Sequence, residues 1–226
     1  MTPFEPGSFL AEITPEERAD LESRGRVREF ARGEVLFWEG EEATWVAVLL
    51  AGKVKAYSDR EQGGEALLAV RGPGALLGEV AAIDGLPRSA TVAALEDGRA
   101  LAVTVPDFTA FLRDNGGAAI VIMRTLCERW RDSDSKRIEF GMFDATGRVA
   151  QRLVELADRF GVPAGAGGQS VRITLSLSQE ELAGWVGASR EAVSKALRTL
   201  RRHGWIETGR RVVIVHDLQA LRRHAR

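Results

Sequence analysis

The 226-residue chain has a single cysteine, Cys127, so no intrachain disulfide is open to it; a reducing compartment is the natural setting, and the cytoplasm is expected. It has three histidines, His203, His216 and His224, and none before residue 203. The long N-terminal part therefore offers no imidazole to a metal-dependent barrel enzyme or to the axial position of a haem. One cysteine likewise cannot hold a four-cysteine iron–sulfur cluster. No Ser/His/Asp or paired-carboxylate constellation can be placed either. No metal, no bound cofactor and no catalytic residue are expected, and the chain does not read as an enzyme. Long apolar runs are missing too: Val46-Ala47-Val48-Leu49-Leu50-Ala51 is far too short to span a bilayer. The opening MTPFEPGSF lacks the basic start and apolar core of a secretory signal, so no membrane partner is expected.

What is present is a globular balance, 45% hydrophobic and 28% charged, over a length that suits one large or two ordinary domains. The net charge of −1 hides an asymmetry. Residues 144–226 hold 14 Lys and Arg against 8 Asp and Glu, a balance of +6; the rest holds 17 against 24, a balance of −7. An acidic front joined to a basic back points to a polyanion as partner of the back half.

From about Arg32 to Val105 the pattern is of short strands broken by glycine-containing turns. Val35–Trp38, Trp45–Leu50, Val54–Tyr57, Leu67–Val70, Thr91–Ala94 and Ala100–Val103 are the strands, with Glu61-Gln62-Gly63-Gly64 as a hairpin tip and Val80–Pro87 as a turn. Such spacing predicts a sandwich or barrel. Pro106-Asp107 opens helical territory: a short helix around Phe108–Arg113, then a long one from about Ala118 to Phe140. Along the latter, Ala119, Met123, Leu126, Trp130, Ser133, Arg137 and Phe140 alternate by four and three, the spacing of a coiled-coil seam. The same spacing suits a helix laid on its own barrel, and one helix can do both. Gly141 is expected to break it, with Asp144-Ala145-Thr146 starting the next helix, amphipathic to Phe160, and Gly161–Gly168 as an exposed loop.

Residues 174–215 carry the most specific pattern. Ser178 and Glu181 form a capping box ahead of Leu182-Ala183 and Trp185-Val186. Gly187-Ala188 makes a turn, Ser189 caps a second helix over Arg190–Arg202, and His203-Gly204 ends it. Val193, Ala196, Leu197 and Leu200 give that helix an apolar face, opposite Arg190, Glu191, Ser194, Lys195 and Arg198. Trp205–Glu207, a Thr208-Gly209 turn and Val212–Val215 then read as a hairpin wing. Helix, turn, basic helix and wing make a winged helix-turn-helix whose second helix enters the major groove of double-stranded DNA. Arg190 can donate a bidentate pair to guanine, Glu191 can accept from cytosine N4, and Lys195 can reach guanine O6 or N7. Arg198, Arg201, Arg202, Arg210 and Arg211 suit phosphates, which position without specifying.

With these residues in view, nearly the whole chain resembles the cyclic-AMP receptor protein (CRP/FNR-type) family of bacterial transcription regulators. The stretches that carry the resemblance are Arg32–Phe37 (RGEVLF), Leu50–Val54 (LAGKV), Leu77–Glu79, Arg88–Val92 (RSATV), Asp144–Ala150 (DATGRVA) and Ala188–Lys195 (ASREAVSK), with Lys195 similar to the lysine form of an actinobacterial branch. The resemblance implies an α+β fold: a cyclic-nucleotide-binding jelly-roll β-barrel over residues 1–117, a dimerisation helix and hinge over 118–143, and the winged helix-turn-helix over 144–226. It further implies a homodimer, RNA polymerase as a partner, cyclic AMP as the allosteric ligand with cyclic GMP open, and half-sites like TGTGA.

The residues make their own case for a nucleotide site. A cyclic phosphodiester needs a cation and donors, and the ribose 2′-hydroxyl needs an acceptor. Arg88 supplies the planar fork, Ser89 and backbone N–H groups around Ala90 supply donors, Glu79 supplies the acceptor, and Gly78 lets the backbone approach closely. By resemblance Arg129 braces Glu79, and Ser133 and Asp134 face the purine. Asp134 departs from the family pattern, and its carboxylate suits adenine N6 as well as guanine N1 and N2.

Overall fold

The computed structural model describes residues 4–59, 65–165, 170–175, 178–209 and 212–225, and over 135–142 the course of the helix alone. The expected hairpin tip at 61–64 and the basic pair Arg210-Arg211 thus lie outside the described residues. Two compact units emerge, Met1–Ser58 with Leu68–Asp132, and Asp59–Leu67 with Ser133–Arg226.

The first unit opens with two helices, α1 (Phe9–Glu12) and α2 (Pro15–Ser23), and a strand β1 (Arg26–Phe30) that the sequence pattern did not reveal. Then follow β2 (Val35–Phe37), β3 (Trp45–Ala51), β4 (Val54–Asp59), β5 (Glu65–Arg71), β6 (Leu76–Leu77), α3 (Glu79–Asp84), β7 (Thr91–Ala94), β8 (Gly98–Thr104) and α4 (Val105–Asp114). The eight strands form two four-stranded sheets, ordered β1-β8-β3-β6 and β2-β7-β4-β5, the double-sheet form of a jelly roll.

Alternation across β3 explains its unbroken apolar run. Ala47 and Leu49 join Phe37, Val54, Val92 and Ala100 in the core between the sheets. Val46 and Val48 point the other way and join Phe9, Leu21, Leu101, Val103, Phe108 and Phe111 under the helices. A strand buried on both faces has no position where a polar residue is tolerated.

The long helix α5 runs over Gly116–Met142. Ala118 and Ile122 are buried in the helix-side core, and Val121 and Leu126 pack against it. Its start is held by α2: one oxygen of Glu17 closes the α2 capping box on the Thr14 N–H at 2.9 Å, and the other accepts the Ala118 N–H at 2.9 Å. A single carboxylate thus meets orphan donors of two helices.

The second unit holds α6 (Ala145–Phe160), β9 (Gly161–Ala164), β10 (Ser170–Ile173), α7 (Gln179–Val186), α8 (Arg190–Arg202), β11 (Ile206–Gly209), β12 (Val212–Val215) and α9 (Leu218–His224). The strands pair in the order β11-β12-β10-β9. Val149, Leu153, Leu156 and Phe160 are the buried stripe of α6.

Three expectations are corrected. The turn over Val80–Pro87 is largely helix: α3 occupies Glu79–Asp84, between left-handed Gly78 and Gly85, and Glu79-Val80-Ala81-Ala82 is a helix-forming run. Gly141 does not break α5, which continues to Met142. An interior glycine costs about 1 kcal/mol but does not stop a helix; the boundary is set by Asp144, whose side chain caps α6 by accepting the Gly147 N–H at 2.8 Å. Gly161–Ala164 is a strand rather than part of a loop, because β10 is there to pair with it. Its Gly/Ala/Pro composition reads locally as loop, and the partner that overrides this lies elsewhere in the chain.

Candidate ligand recess and DNA-reading helix

The recess of the first unit is a space of about 540 Å³ counting its open mouth. Gly78, Glu79, Arg88, Ser89, Ala90 and Arg129 all line it, as six of the eight expected ligand residues. Ser133 and Asp134 are exposed on α5 and are not among its lining residues.

Arg88 is 5% exposed and Glu79 3% exposed, and each is met in a different way. The Arg88 backbone is fixed first: its N–H donates to the Glu41 carbonyl at 2.8 Å, and its carbonyl accepts the Gly40 N–H at 2.9 Å. Its side chain then donates from Nη1 to the Gly78 carbonyl at 2.9 Å and from Nη2 to the Trp45 carbonyl. The Phe37 ring lies under the guanidinium, 4.0 Å from Cζ to the centroid. Two of the five N–H donors are committed to carbonyls, and the fixed fork thereby orients the remainder. Burial pushes the Arg88 guanidinium below its ordinary pKa, against the opposing pull of Glu41 and Glu79.

Glu79 begins α3, and its ion pair is with Arg129 of α5, not with Arg88 across the turn. Gly78 earns its place twice: its φ of 78° is left-handed, and a Cβ there would run into Arg88 Nη1 and approach the Phe37 ring to 3.3 Å. Phe37, Ala56, Ala69, Arg71 and Val92 also line the recess and were not legible as site residues. No local motif marks them; cross-strand pairing brings them together, with Phe37 opposite Val92 and Val92 opposite Ala56.

In the second unit the helix pair forms as its caps dictate. Ser178 and Glu181 make both capping-box bonds of α7, at 2.8 and 3.1 Å, and Gly187 closes that helix with φ 64°. Ser189 accepts the Ala192 N–H at 3.2 Å to start α8. Arg148 of α6 donates from Nε to the Val186 carbonyl at 3.0 Å and from Nη1 to the Phe143 carbonyl at 2.7 Å. It thus ties the α7 end to the start of the unit. On α8, Val193, Ala196, Leu197 and Leu200 are buried. Ser189, Arg190, Glu191, Lys195, Arg198 and Arg201 are exposed, and Ser194 is half-buried. Lys195, Arg198, Arg201 and Arg202 line one shallow basic groove. In the wing, Gly209 pairs with Val212.

Residues 27–115 match the cyclic nucleotide-binding domain, and residues 147–224 match the Crp-like helix-turn-helix domain. A CRP-like cAMP-activated global transcriptional regulator of Mycobacterium tuberculosis is 33% identical over 95% of this chain and 94% of its own. This chain belongs to the CRP family of transcription regulators. A cyclic AMP receptor protein of Thermus thermophilus is 29% identical over 92% of both chains. Among solved structures, a CRP-family transcriptional regulator from Thermus thermophilus is 28% identical, covers 88% of this chain and 96% of its own, and superposes with a TM-score of 0.73. The membership accounts for the order of parts in this CRP-family chain, an α+β protein with a cyclic-nucleotide-binding jelly roll followed by a long helix and a DNA-binding helix-turn-helix.

The contact between Gly78 and Arg88 can be measured. Gly85 is also left-handed, at φ 72°, with open space around its Cα, so Gly85→Ala reports the backbone cost alone, about 1–2 kcal/mol. Gly78→Ala should exceed it by about 1.5–3 kcal/mol in urea denaturation, the worth of hydrogen bonds to a charged group. Equal costs would mean that Arg88 is not held by this contact.

Proposed function

We propose that the recess binds a cyclic nucleotide and that the occupied protein, as a homodimer, binds DNA more tightly. The observation that carries this is the burial of two ionisable side chains, Glu79 and Arg88, in one recess. Arg88 commits two of its five donors to carbonyls and keeps the rest at the recess, which suits a charged or polar occupant. Arg88, with Ser89 and the Ala90 backbone, takes the cyclic phosphate; Glu79, held by Arg129, accepts the ribose 2′-hydroxyl; Gly78 gives the sugar room. Ser133 and Asp134 remain the proposed contacts to the base. Cyclic AMP is the first candidate effector, since the mycobacterial relative is named as cAMP-activated and the Thermus one as a cyclic AMP receptor; Asp134 keeps cyclic GMP open. The functional parts follow residues 1–117, 118–143 and 144–226. The chain acts in the cytoplasm, with DNA and RNA polymerase as partners and without an enzymatic activity of its own.

The direct test is DNA binding by fluorescence anisotropy on an inverted repeat of TGTGA half-sites. Cyclic AMP should raise the affinity by roughly 5–150-fold, the usual range of allosteric coupling. Arg88→Ala should bind the same duplex with no response to the nucleotide. A wild-type protein indifferent to cyclic nucleotides would sink the ligand-responsive reading.

The dimer surface follows from what α5 leaves uncovered. Leu126, expected on the seam, is half-buried and packs in part against the barrel-side core. The exposed apolar positions are Ile120, Met123 at 52% and Trp130 at 73%, which with exposed Cys127 recur at intervals of three, four and three, a seam that a second copy of the helix would cover. Met123→Glu with Trp130→Glu should give the mass of one chain, 24.6 kDa, in light scattering, because charge buried in a seam has no partner. A dimer that survives both changes places the interface elsewhere.

On DNA, two-fold symmetry sets the half-sites about one turn, roughly 34 Å, apart. Arg190, Glu191 and Lys195 read bases; Ser189, Ser194, Arg198, Arg201 and Arg210 hold the backbone. Arg190→Ala should cost about 1–3 kcal/mol and relax preference at one base pair. Arg201→Ala should weaken all sequences alike and lower the salt slope by about one. Binding-site selection that returns the wild-type preference for Arg190→Ala would invert this docking.

A further inference from the structure

Phe37 lines the recess but has no part in the proposal above, and its side chain offers a ligand no polar atom. It stands in a row with Val92 and Ala56 across β2, β7 and β4, and with Ala69 these line an apolar floor. Its ring has two partners. The Arg88 guanidinium lies over it, 4.0 Å from Cζ to the centroid, and the Trp45 ring packs on it with centroids 4.6 Å apart and planes tilted by 55°. Arg88 also donates from Nη2 to the carbonyl of that same Trp45. The three residues thus close a triangle: guanidinium on Phe37, Phe37 on the Trp45 ring, and the Trp45 backbone on the guanidinium. Trp45 is braced in turn. It pairs with Thr104 across β3 and β8, and Arg28, ion-paired to Glu34 at 3.0 Å, lies over its ring at 5.5 Å. Trp45 itself is not among the residues that line the recess.

A ring face attracts a cation, and most strongly where water is excluded. Here the attraction has a directional consequence. Phe37 covers one face of the guanidinium, and the carbonyls of Gly78 and Trp45 take two of its donors. The donors that remain point outward in the plane of the group, the direction from which phosphate oxygens are bound. An aliphatic side chain of similar volume would fill the same space without holding the cation against it. We propose that Phe37, backed by Trp45, is the positioning residue of the phosphate site. It fixes the plane of the Arg88 fork, so that Arg88 engages one exocyclic oxygen of the cyclic phosphate and leaves the other to Ser89. The assignment rests on the recess being the nucleotide site, and it holds whichever base the nucleotide carries.

The two phosphorothioate forms of cyclic AMP, Rp and Sp, carry sulfur in place of one exocyclic oxygen or the other, and sulfur is the weaker acceptor. Calorimetry of the full-length protein with cyclic AMP and both forms therefore reads the fork. The wild type should favour one form by about tenfold or more, the worth of one hydrogen bond to a charged group. Phe37→Leu should weaken cyclic AMP about tenfold and bring the two forms to within about twofold of each other. Phe37→Tyr, which keeps the ring face, should retain the wild-type ratio. The ratio is taken within each variant, so a general loss of stability moves both forms together and cannot mimic the expected result. If Phe37→Leu does not fold, Trp45→Leu at the half-buried position behind it carries the test, and the ratio should fall in the same direction. A wild type that binds cyclic AMP without separating the two forms overturns the role of Phe37. So does a leucine variant that keeps the wild-type ratio, or a Phe37→Tyr that loses it as fully as Phe37→Leu. If the wild type binds no cyclic nucleotide, the nucleotide site itself is wrong and the role of Phe37 falls with it.

Discussion

A guanidinium taken out of water costs several kcal/mol unless its donors find acceptors, and the first unit is arranged around meeting that cost for Arg88. Backbone bonds to the loop at Gly40 and Glu41 place its Cα. The carbonyls of Gly78 and Trp45 take two donors, and the face of Phe37 takes the remaining charge. Each partner belongs to a different element: Trp45 starts β3, Phe37 ends β2, and Gly78 precedes α3. Arg88 thus fixes where a strand, a turn and a short helix meet. An Arg-to-Lys exchange would not reproduce this, since one ammonium cannot serve two divergent carbonyls and a ring at once.

Glu79 extends the same constraint to the long helix. It follows Gly78 directly, and its carboxylate is tied to Arg129 of α5. Any ligand oxygen that bonds Glu79 therefore acts on a group already shared with the helix that carries the exposed stripe of Ile120, Met123 and Trp130. α5 has two faces with different duties. Ala118 and Ile122 anchor it to the barrel, and its far face is apolar yet uncovered. In the proposed mechanism this is the physical link between recess and dimer: a ligand that draws differently on Glu79 in two states biases a helix whose other face sets the partner's position.

How much of this was legible depends on whether the deciding contact is local. The helix α8 was readable to its first and last residues, because the apolar positions lie within it and Ser189 and His203-Gly204 directly flank it. The cassette residues were readable as chemistry, and Arg88 and Glu79 do share a recess. What escaped was whatever depends on a distant partner. β1 is exposed at four of its five residues and becomes a strand by pairing with β8. β9 needs β10, and the floor residues Ala56, Ala69 and Arg71 need the cross-strand register. Leu126 was assigned to the seam on spacing, and the spacing did not show that it also packs in part against the barrel-side core, because a helix with apolar residues on two sides has two candidate stripes. Arg210 and the expected hairpin tip at 61–64 lie outside the described residues.

In the proposed DNA-reading helix the economy is the opposite one, with rigidity rather than burial of charge carrying the function. Base edges discriminate only if the side chains reaching them stand in a fixed register. For α8 that register is set by its buried row, Val193, Ala196, Leu197 and Leu200, and by α7, whose end is held both by left-handed Gly187 and by Arg148 on the Val186 carbonyl. The opposite row is then obliged to face outward as a unit. Within it Glu191 sits beside Arg190 in the first turn, where a carboxylate also suits the positive end of the helix dipole. On a phosphate-binding surface that negative charge would only weaken binding. A helix placed to bring its first turn against base edges gives the carboxylate a donor to accept, the cytosine amino group, so the one acidic residue on this basic face argues for base reading more strongly than any of its arginines.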